Sequence, residues 1–567
     1  MNQTNHHPKF YPTIRPIVAT SLDGIAFKNN TLYAIDSKSG YLLQINPQNS
    51  VCKIINNSYW QDFIGAKGLC ITENEIWFIA RENVCYCEIE WQNEELSIIS
   101  APKLAFLLSY AGNGIAIWDN TIYITSYKSG KILVYSKETK KQITYYYAPG
   151  IGSENIVVKA EEIWLCDQIE QTVYCLDRAT GANKYTILTP FASPTALDFY
   201  FDEETGREIL YIAYTDQEPY IRDNPNAEPN HELLYRDRTF IHPLYFKYDQ
   251  DNKYTLSNGF LLEMSYLEEI SPLDPIELKE LEWRIALPTE SNRQKVVSVE
   301  PVGLPYIEED HNGQKVALFK FPHFTSEERF VFGWRAIIEV WSIKYQIKPR
   351  DCETLPPLPP EYEGKYLIDD DDLAMSTDVI LTAAESARGT ETNILRKMYS
   401  IRNYVYDHLT YGIKPHIDTP DIVLKRGVGS CGEYLGLLLA LSRLNGIACR
   451  TVGRYKCPLQ VLTFGIPLVP DFNHVWMEFY IPNIGWLPME SNPDDLDDGG
   501  PYPTRFFMGL SWYHVEMAKD LPFETLLSEG NPVSKEKTSI GQLAINHVSF
   551  TVIKELQPES GNLINAT

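Results

Sequence analysis

The chain has 567 residues, 50 Lys and Arg against 75 Asp and Glu, a formal charge of −25, and 44 % hydrophobic residues. This length exceeds what a single core supports, so several domains are expected, and the composition is globular rather than disordered. A chain this acidic repels phosphate backbones and anionic lipid, which argues against nucleic acid as a partner.

The ten cysteines form no C-x-x-C pair, so a zinc ribbon is not expected. The first residues, MNQTNHHPKFYP, are polar and lack the apolar core of a signal peptide. No run approaches the roughly 18 apolar residues of a membrane helix. The expectation is a cytoplasmic protein with reduced thiols and no membrane span.

Residues 1–12 read as an N-terminal tail. Four segments then align without gaps, from Gly24, Gly68, Gly114 and Asn155. Tyr33, Trp77, Tyr123 and Trp164 share one column, and Ile35, Ile79, Thr125 and Cys166 another. A looser fifth copy starts near Ala196. Each copy holds three short strands separated by polar turns such as Lys28-Asn29-Asn30, with room for a fourth strand. Four strands recurring at a spacing of about 40 residues predict a propeller blade, because stacked blades bury faces that one blade cannot. The segment 13–257 is read as an all-β propeller of five or six blades, with an insertion at Gln217–Glu232. Its blade rhythm resembles the NHL and gluconolactonase-like propellers. No convergent set of acidic metal ligands accompanies it, so the expectation is a platform for a protein or small-molecule partner.

After Gly259 the rhythm changes. The runs from Leu281, Lys295, Lys315 and Arg329 read as strands, and 258–360 is expected to form a small β-sandwich. The segment ETLPPLPPEYEG at 353–364 acts as a spacer. His311 and His323 are isolated and read as ordinary residues.

The chemistry is expected in 361–567. Helical spacing marks Asp370–Ser386 and Glu391–Leu409, with Asp369–Asp372 as a solvated helix start. Then comes RGVGSCGEYLGLLLALSRLNGIACRTVGRY. Ser430-x-x-Glu433 is a capping box and Asn445-Gly446 a stop, so a buried helix should run from Cys431 to Leu444. A thiol at the first position of a helix meets the positive end of the dipole, which favours thiolate, and unpaired N–H groups there suit an oxyanion. In NHVWMEFYIPNIGWLPMESNPDD, His474 opens an alternating strand and Glu490 ends the returning one. They share a face only if the turn holds an odd number of residues or a bulge, with Gly485 the expected site.

Together G-x-C at a helix start, G-I-x-x-R after it, H-x-W-x-E, and an acid four residues after the G-W tryptophan resemble the bacterial transglutaminase-like superfamily. The resemblance spans about Tyr366 to Leu556. It implies a papain-like α+β core and an acyl-enzyme on Cys431, with His474 as base and Glu490 as the acid. The acyl group of an amide, peptide or ester would pass to water or an amine, without cofactor or metal. Two features depart from the family. Its acid is usually Asp, so Asp494 and Asp495 stand as alternatives to Glu490. Its relatives often place a Trp upstream of the cysteine as oxyanion donor, and here Tyr404, Tyr406 and Tyr411 are the substitutes at hand. Trp476 and Trp486 are expected to wall the cleft. Cys449 and Cys457 read as packing, and the DDLDD run at 494–498 as a solvated loop. The competing reading is a non-catalytic scaffold built on a degenerate domain.

Overall fold

The computed structural model describes residues 11–93, 95–220, 234–414, 416–459, 463–470, 473–492, 501–534 and 537–557. It is mostly β, with 50 % of residues in strands and 14 % in helices. The chain divides into two compact units, one ending at Tyr248 and one spanning Asp249–Gln557. Among the described residues no helix is long and apolar enough to cross a membrane.

In the first unit the repeats become five antiparallel sheets. Their first strands are Leu22–Lys28, Ala66–Ile71, Gly114–Trp118, Ser153–Lys159 and Pro194–Asp202. The aromatic column lies on each second strand. Tyr33, Trp77, Tyr123 and Trp164 are buried, and Tyr211 takes that place in the fifth sheet. Apolar cores form between consecutive sheets. Leu42 of the first sheet packs with Phe78 of the second, Ile79 with Ile124 of the third, and Ile132 with Leu165 of the fourth. Leu22 and Leu43 pack with Ile209 and Tyr211, so the fifth sheet returns to the first.

Glycine makes this close approach possible. A Cβ on Gly24 would sit 2.7 Å from the Gly68 carbonyl carbon, and one on Gly114 would sit 2.6 Å from the Asn155 Cα. The fifth sheet has three strands of its own. Ile14 bridges onto its outer strand Leu234–Leu244 through two 2.8 Å bonds with Ile241. Tyr11, buried, donates its hydroxyl to Asp202 at 2.7 Å. Tyr11, assigned to the tail by the sequence, is thus part of this unit, because burying Tyr11 and Ile14 covers an open sheet edge. Of the expected insertion, Gln217–Tyr220 lies in the strand Arg207–Tyr220, and 221–232 lies outside the described residues.

In the second unit the expected sandwich and the expected catalytic domain share their sheets. Strand Tyr254–Ile270 lies between Val331–Tyr345 and Ala544–Leu556. Strand Glu277–Ala286 lies between Gln314–Thr325 and Glu524–Ser528. The boundary drawn at 360 therefore does not separate two units. The strand patterns at 281–345 were correctly placed, but the sheets they join are completed by strands from about 240 to 300 residues later.

The third sheet carries the candidate site. It runs in the order Gly485–Met489, His474–Ile481, Cys449–Lys456, His514–Met517. Helix Cys431–Leu444 packs on its central strands, and helices Asp378–Arg388, Ile394–His408 and Pro420–Arg426 pack around that helix. The first of these starts later than its spacing suggested. The Asp369 carboxylate accepts the Leu373 and Met375 N–H groups at 2.7 and 3.0 Å, holding a loop, and Thr377 caps the helix.

Candidate active site

Cys431 is the first residue of its helix, and Ser430 is the N-cap. The Ser430 N–H donates to the Glu433 carboxylate at 2.8 Å. Glu433 is itself buried and also holds Arg426 at 2.7 Å and the Asp418 N–H at 3.1 Å. The turn that presents the thiol is therefore fixed on both sides. Cys431 is half-buried and unpaired.

The hairpin meets the geometric condition for bringing His474 and Glu490 together. Ile481 pairs with Gly485 and Met477 with Met489, leaving a three-residue turn at 482–484. Gly485 takes φ +109, a conformation that suits glycine. Extending this register puts Glu490 opposite Trp476 and diagonal to His474, on the same face. The His474 Nε2 lies 2.6 Å from the Glu490 Oε1. The imidazole is buried, and its Nδ1 has no hydrogen bond to any described residue.

Burial alone would raise the Cys431 thiol. The adjacent His474 imidazole and the Val475 and Gly432 N–H groups outweigh that and hold it below its ordinary value. The contrast within the chain is sharp. Burial raises Cys52, Cys70, Cys85, Cys87, Cys166, Cys175, Cys352, Cys449 and Cys457, with Cys449 and Cys457 pushed up to about 12. His474 is pulled down by burial but raised on balance, by the Glu490 charge and by Cys431. Glu490, fully buried, would rise by desolvation. The His474 and Lys456 charges, with bonds from His474 and His514, hold it well below the usual carboxylate range.

Three partners of Glu490 had no signal in the sequence. Lys456 Nζ reaches Oε2 at 2.6 Å, His514 Nε2 reaches Oε2 at 3.0 Å, and the Ser491 N–H donates to Oε1 at 2.9 Å. Burial pulls His514 down to about 3, so it acts as a neutral donor. The Tyr406 hydroxyl donates to the Glu490 backbone carbonyl at 3.2 Å. A carboxylate with so many donors is held in one orientation. One carboxylate oxygen meets each histidine, Oε1 facing His474 and Oε2 facing His514. Lys456 and His514 sit on two strands flanking each other in one sheet, a pairing visible only once the register is known.

The alternatives Asp494 and Asp495, with the DDLDD run, lie outside the described residues. Trp476 is fully buried beside the His474 ring, 6.2 Å between centroids. Trp486 stacks with Tyr362 and under the Arg450 guanidinium, so neither tryptophan walls an open cleft at Cys431.

The family model of the Transglutaminase-like superfamily matches residues 382–491, which include Cys431, His474 and Glu490. No curated protein matches the chain in sequence. Among solved structures, a candidate cysteine protease from Cytophaga hutchinsonii is similar at 16 % identity, over 53 % of this chain and 93 % of that one, with a TM-score of 0.37. The glutaminyl cyclase of Myxococcus xanthus is similar at 12 % identity, over 35 % of this chain and 88 % of that one, with a TM-score of 0.28. Likenesses that low carry no argument about function. The motif order, the geometry around Cys431 and the family match agree on one point: residues 382–491 of this chain are a transglutaminase-like domain.

Proposed function

We propose that the chain is a cysteine acyl-transfer enzyme, with Cys431 as nucleophile, His474 as general base and Glu490 as the acid that orients it. The observation that carries this reading is the thiol itself. Of ten cysteines, Cys431 is the one held below its ordinary value, and the group that holds it is an imidazole fixed by a buried carboxylate. Glu490 accepts through Nε2–H and thereby leaves Nδ1 for the thiol. The thiolate attacks a carbonyl carbon of an amide, peptide or ester. The oxyanion forms beside the unpaired N–H groups of the helix start. The C–N or C–O bond then breaks as the His474 imidazolium gives its proton to the leaving group. Water or an amine, deprotonated by His474, attacks the thioester and releases Cys431.

The contact between Glu490 and His474 supports this reading over the non-catalytic scaffold, whose sequence support was the replacement of Asp by Glu. The cycle of five sheets supports reading 13–257 as a five-bladed propeller resembling the NHL and gluconolactonase-like group, and as the platform that binds an acyl substrate or a protein partner. Ten unpaired cysteines suit a reducing, cytoplasmic setting.

The test is the rate of Cys431 alkylation by iodoacetamide against pH, read by peptide mass spectrometry in wild type and His474→Ala. A rate that stays high below about pH 7 and falls in the variant is expected of a thiolate–imidazolium pair. A rate that rises only near about pH 8.5, and equally in both proteins, sinks the proposal.

A further inference from the structure

We propose that a cavity beside the nucleophile binds a carboxylate carried on an apolar chain, with Arg454 as its anchor. The ligand's role rests on the acyl-transfer reading above, on which that carboxylate belongs to the acyl substrate. The cavity measures about 610 Å³, the size of a small-molecule site. Leu439 of helix Cys431–Leu444, Gly453 and Arg454 of strand Cys449–Lys456, and Val475 of strand His474–Ile481 all line it. Its Val475 wall adjoins the nucleophile, since the Val475 N–H is one of the groups that hold the Cys431 thiol. Arg454 pairs with His474 in the sheet.

Four cationic side chains line this cavity, and three of them are matched. Arg443 holds Asp370 at 2.5 Å, Arg450 holds Glu478 at 2.7 Å and Asp520 at 3.0 Å, and Lys365 lies 3.4 Å from Asp520. Arg454 is the exception. Among the described residues no carboxylate lies within ion-pair distance of it, and its Nε is buried without a hydrogen bond. Its guanidinium sits over the Phe523 ring, 5.5 Å from the centroid, beside the Tyr455 phenol. Glu268 and Glu524 feel its charge, yet their hydrogen bonds go to Tyr266 and Trp283. A half-buried guanidinium without a counter-charge is costly, so such a group calls for a partner. The planar fork of arginine matches a carboxylate. The rest of the lining narrows the choice. Asp370, Asp371 and Asp520 would repel a more highly charged anion such as phosphate, while Leu439, Leu521, Phe523 and Ile540 offer apolar walls to a carbon chain.

The test is calorimetric titration of the full chain with octanoate, with octanamide and inorganic phosphate as controls. Octanoate should bind wild type, and both controls should bind at least about 10-fold more weakly. Arg454→Met keeps an apolar stem and should weaken octanoate by about 10- to 100-fold, and Arg454→Lys, which keeps the charge, by less. No binding of octanoate to wild type overturns the proposal, and so does equal affinity in wild type and Arg454→Met. Phosphate or octanamide binding as tightly as octanoate overturns the carboxylate class, and these wild-type controls decide even if Arg454→Met fails to fold. Binding asks nothing of the thiol. An unreactive Cys431 with octanoate held through Arg454 would therefore sink the acyl-transfer reading and leave the site standing, whereas a reactive Cys431 without octanoate binding would sink the site alone.

Discussion

At the scale of single residues, the site is governed by charges that compete for one carboxylate. Glu490 meets two basic side chains, the His474 imidazole at 2.6 Å and the Lys456 amine at 2.6 Å. Lys456 stabilises the carboxylate, yet it pushes His474 towards the neutral form. The sign of its removal follows. Without the ammonium, the His474 imidazolium persists to higher pH, so Lys456→Met should move the alkaline inflection of Cys431 alkylation upward by up to about one pH unit. A downward move, or none, would mean that Lys456 does not act through His474. Cys431, His474 and Glu490 could be singled out as candidates because each belongs to a local motif with its own spacing. The sequence did not show Lys456 or His514. Neither has a motif, and each reaches Glu490 from a different strand of a sheet whose order is not the chain order.

At the scale of elements, the helix Cys431–Leu444 was fully legible, since its cap, apolar run and stop are all local signals. The repeats were legible for a related reason. Their aromatic column recurs in register, glycine opens three of the copies, at Gly24, Gly68 and Gly114, and each column has one physical cause. The aromatic column fills the core between sheets, and the glycine column is where first strands touch. That second cause can be tested directly. At Gly114 the nearest atoms to an added Cβ are all backbone, the Asn155 Cα at 2.6 Å, the Glu154 carbonyl oxygen at 2.7 Å and the Ile156 nitrogen at 2.9 Å. Backbone cannot rotate away, so Gly114→Val should destabilise the first unit by about 1–3 kcal/mol or more, read from urea unfolding. Gly206, a turn glycine at φ +65 with nothing within 4 Å of an added Cβ, serves as control. Gly206→Asn should cost far less, since Asn tolerates that φ. Equal losses at the two positions would mean that the first strands do not meet as closely as the glycine column implies.

At the scale of the whole molecule, the sequence misled where partners are distant. Tyr254–Ile270 and Glu277–Ala286 each need a strand from beyond residue 520, and no local pattern announces such pairing. The junction between these two sheets also holds an unusual group. The Tyr266 hydroxyl lies 2.7 Å from the Glu268 Oε1 and 3.0 Å from the Glu524 Oε2, while Trp283 donates to the Glu524 Oε1 at 3.1 Å. A phenol has one proton, so it can donate to only one of the two carboxyl groups. The other contact requires a carboxyl that carries a proton. Burial and the Glu524 charge push Glu268 up to about 8, with Arg454 and Tyr455 the other ionisable groups facing the cluster. The sign is then fixed. Between its ordinary value near 4.3 and about 8, Glu268 holds in the folded protein a proton that the unfolded chain has released. Stability from this group is therefore complete below about pH 4.3 and declines as pH rises, by up to about 1.4 kcal/mol per pH unit. Glu268→Gln keeps the shape, accepts from Tyr266, offers an N–H to Glu524 and cannot ionise. Urea midpoints at pH 5, 6.5 and 8 should fall less steeply in this variant than in wild type. Parallel slopes would mean that Glu268 is ionised in the folded protein, and that the Tyr266 cluster does not share a proton across the two sheets.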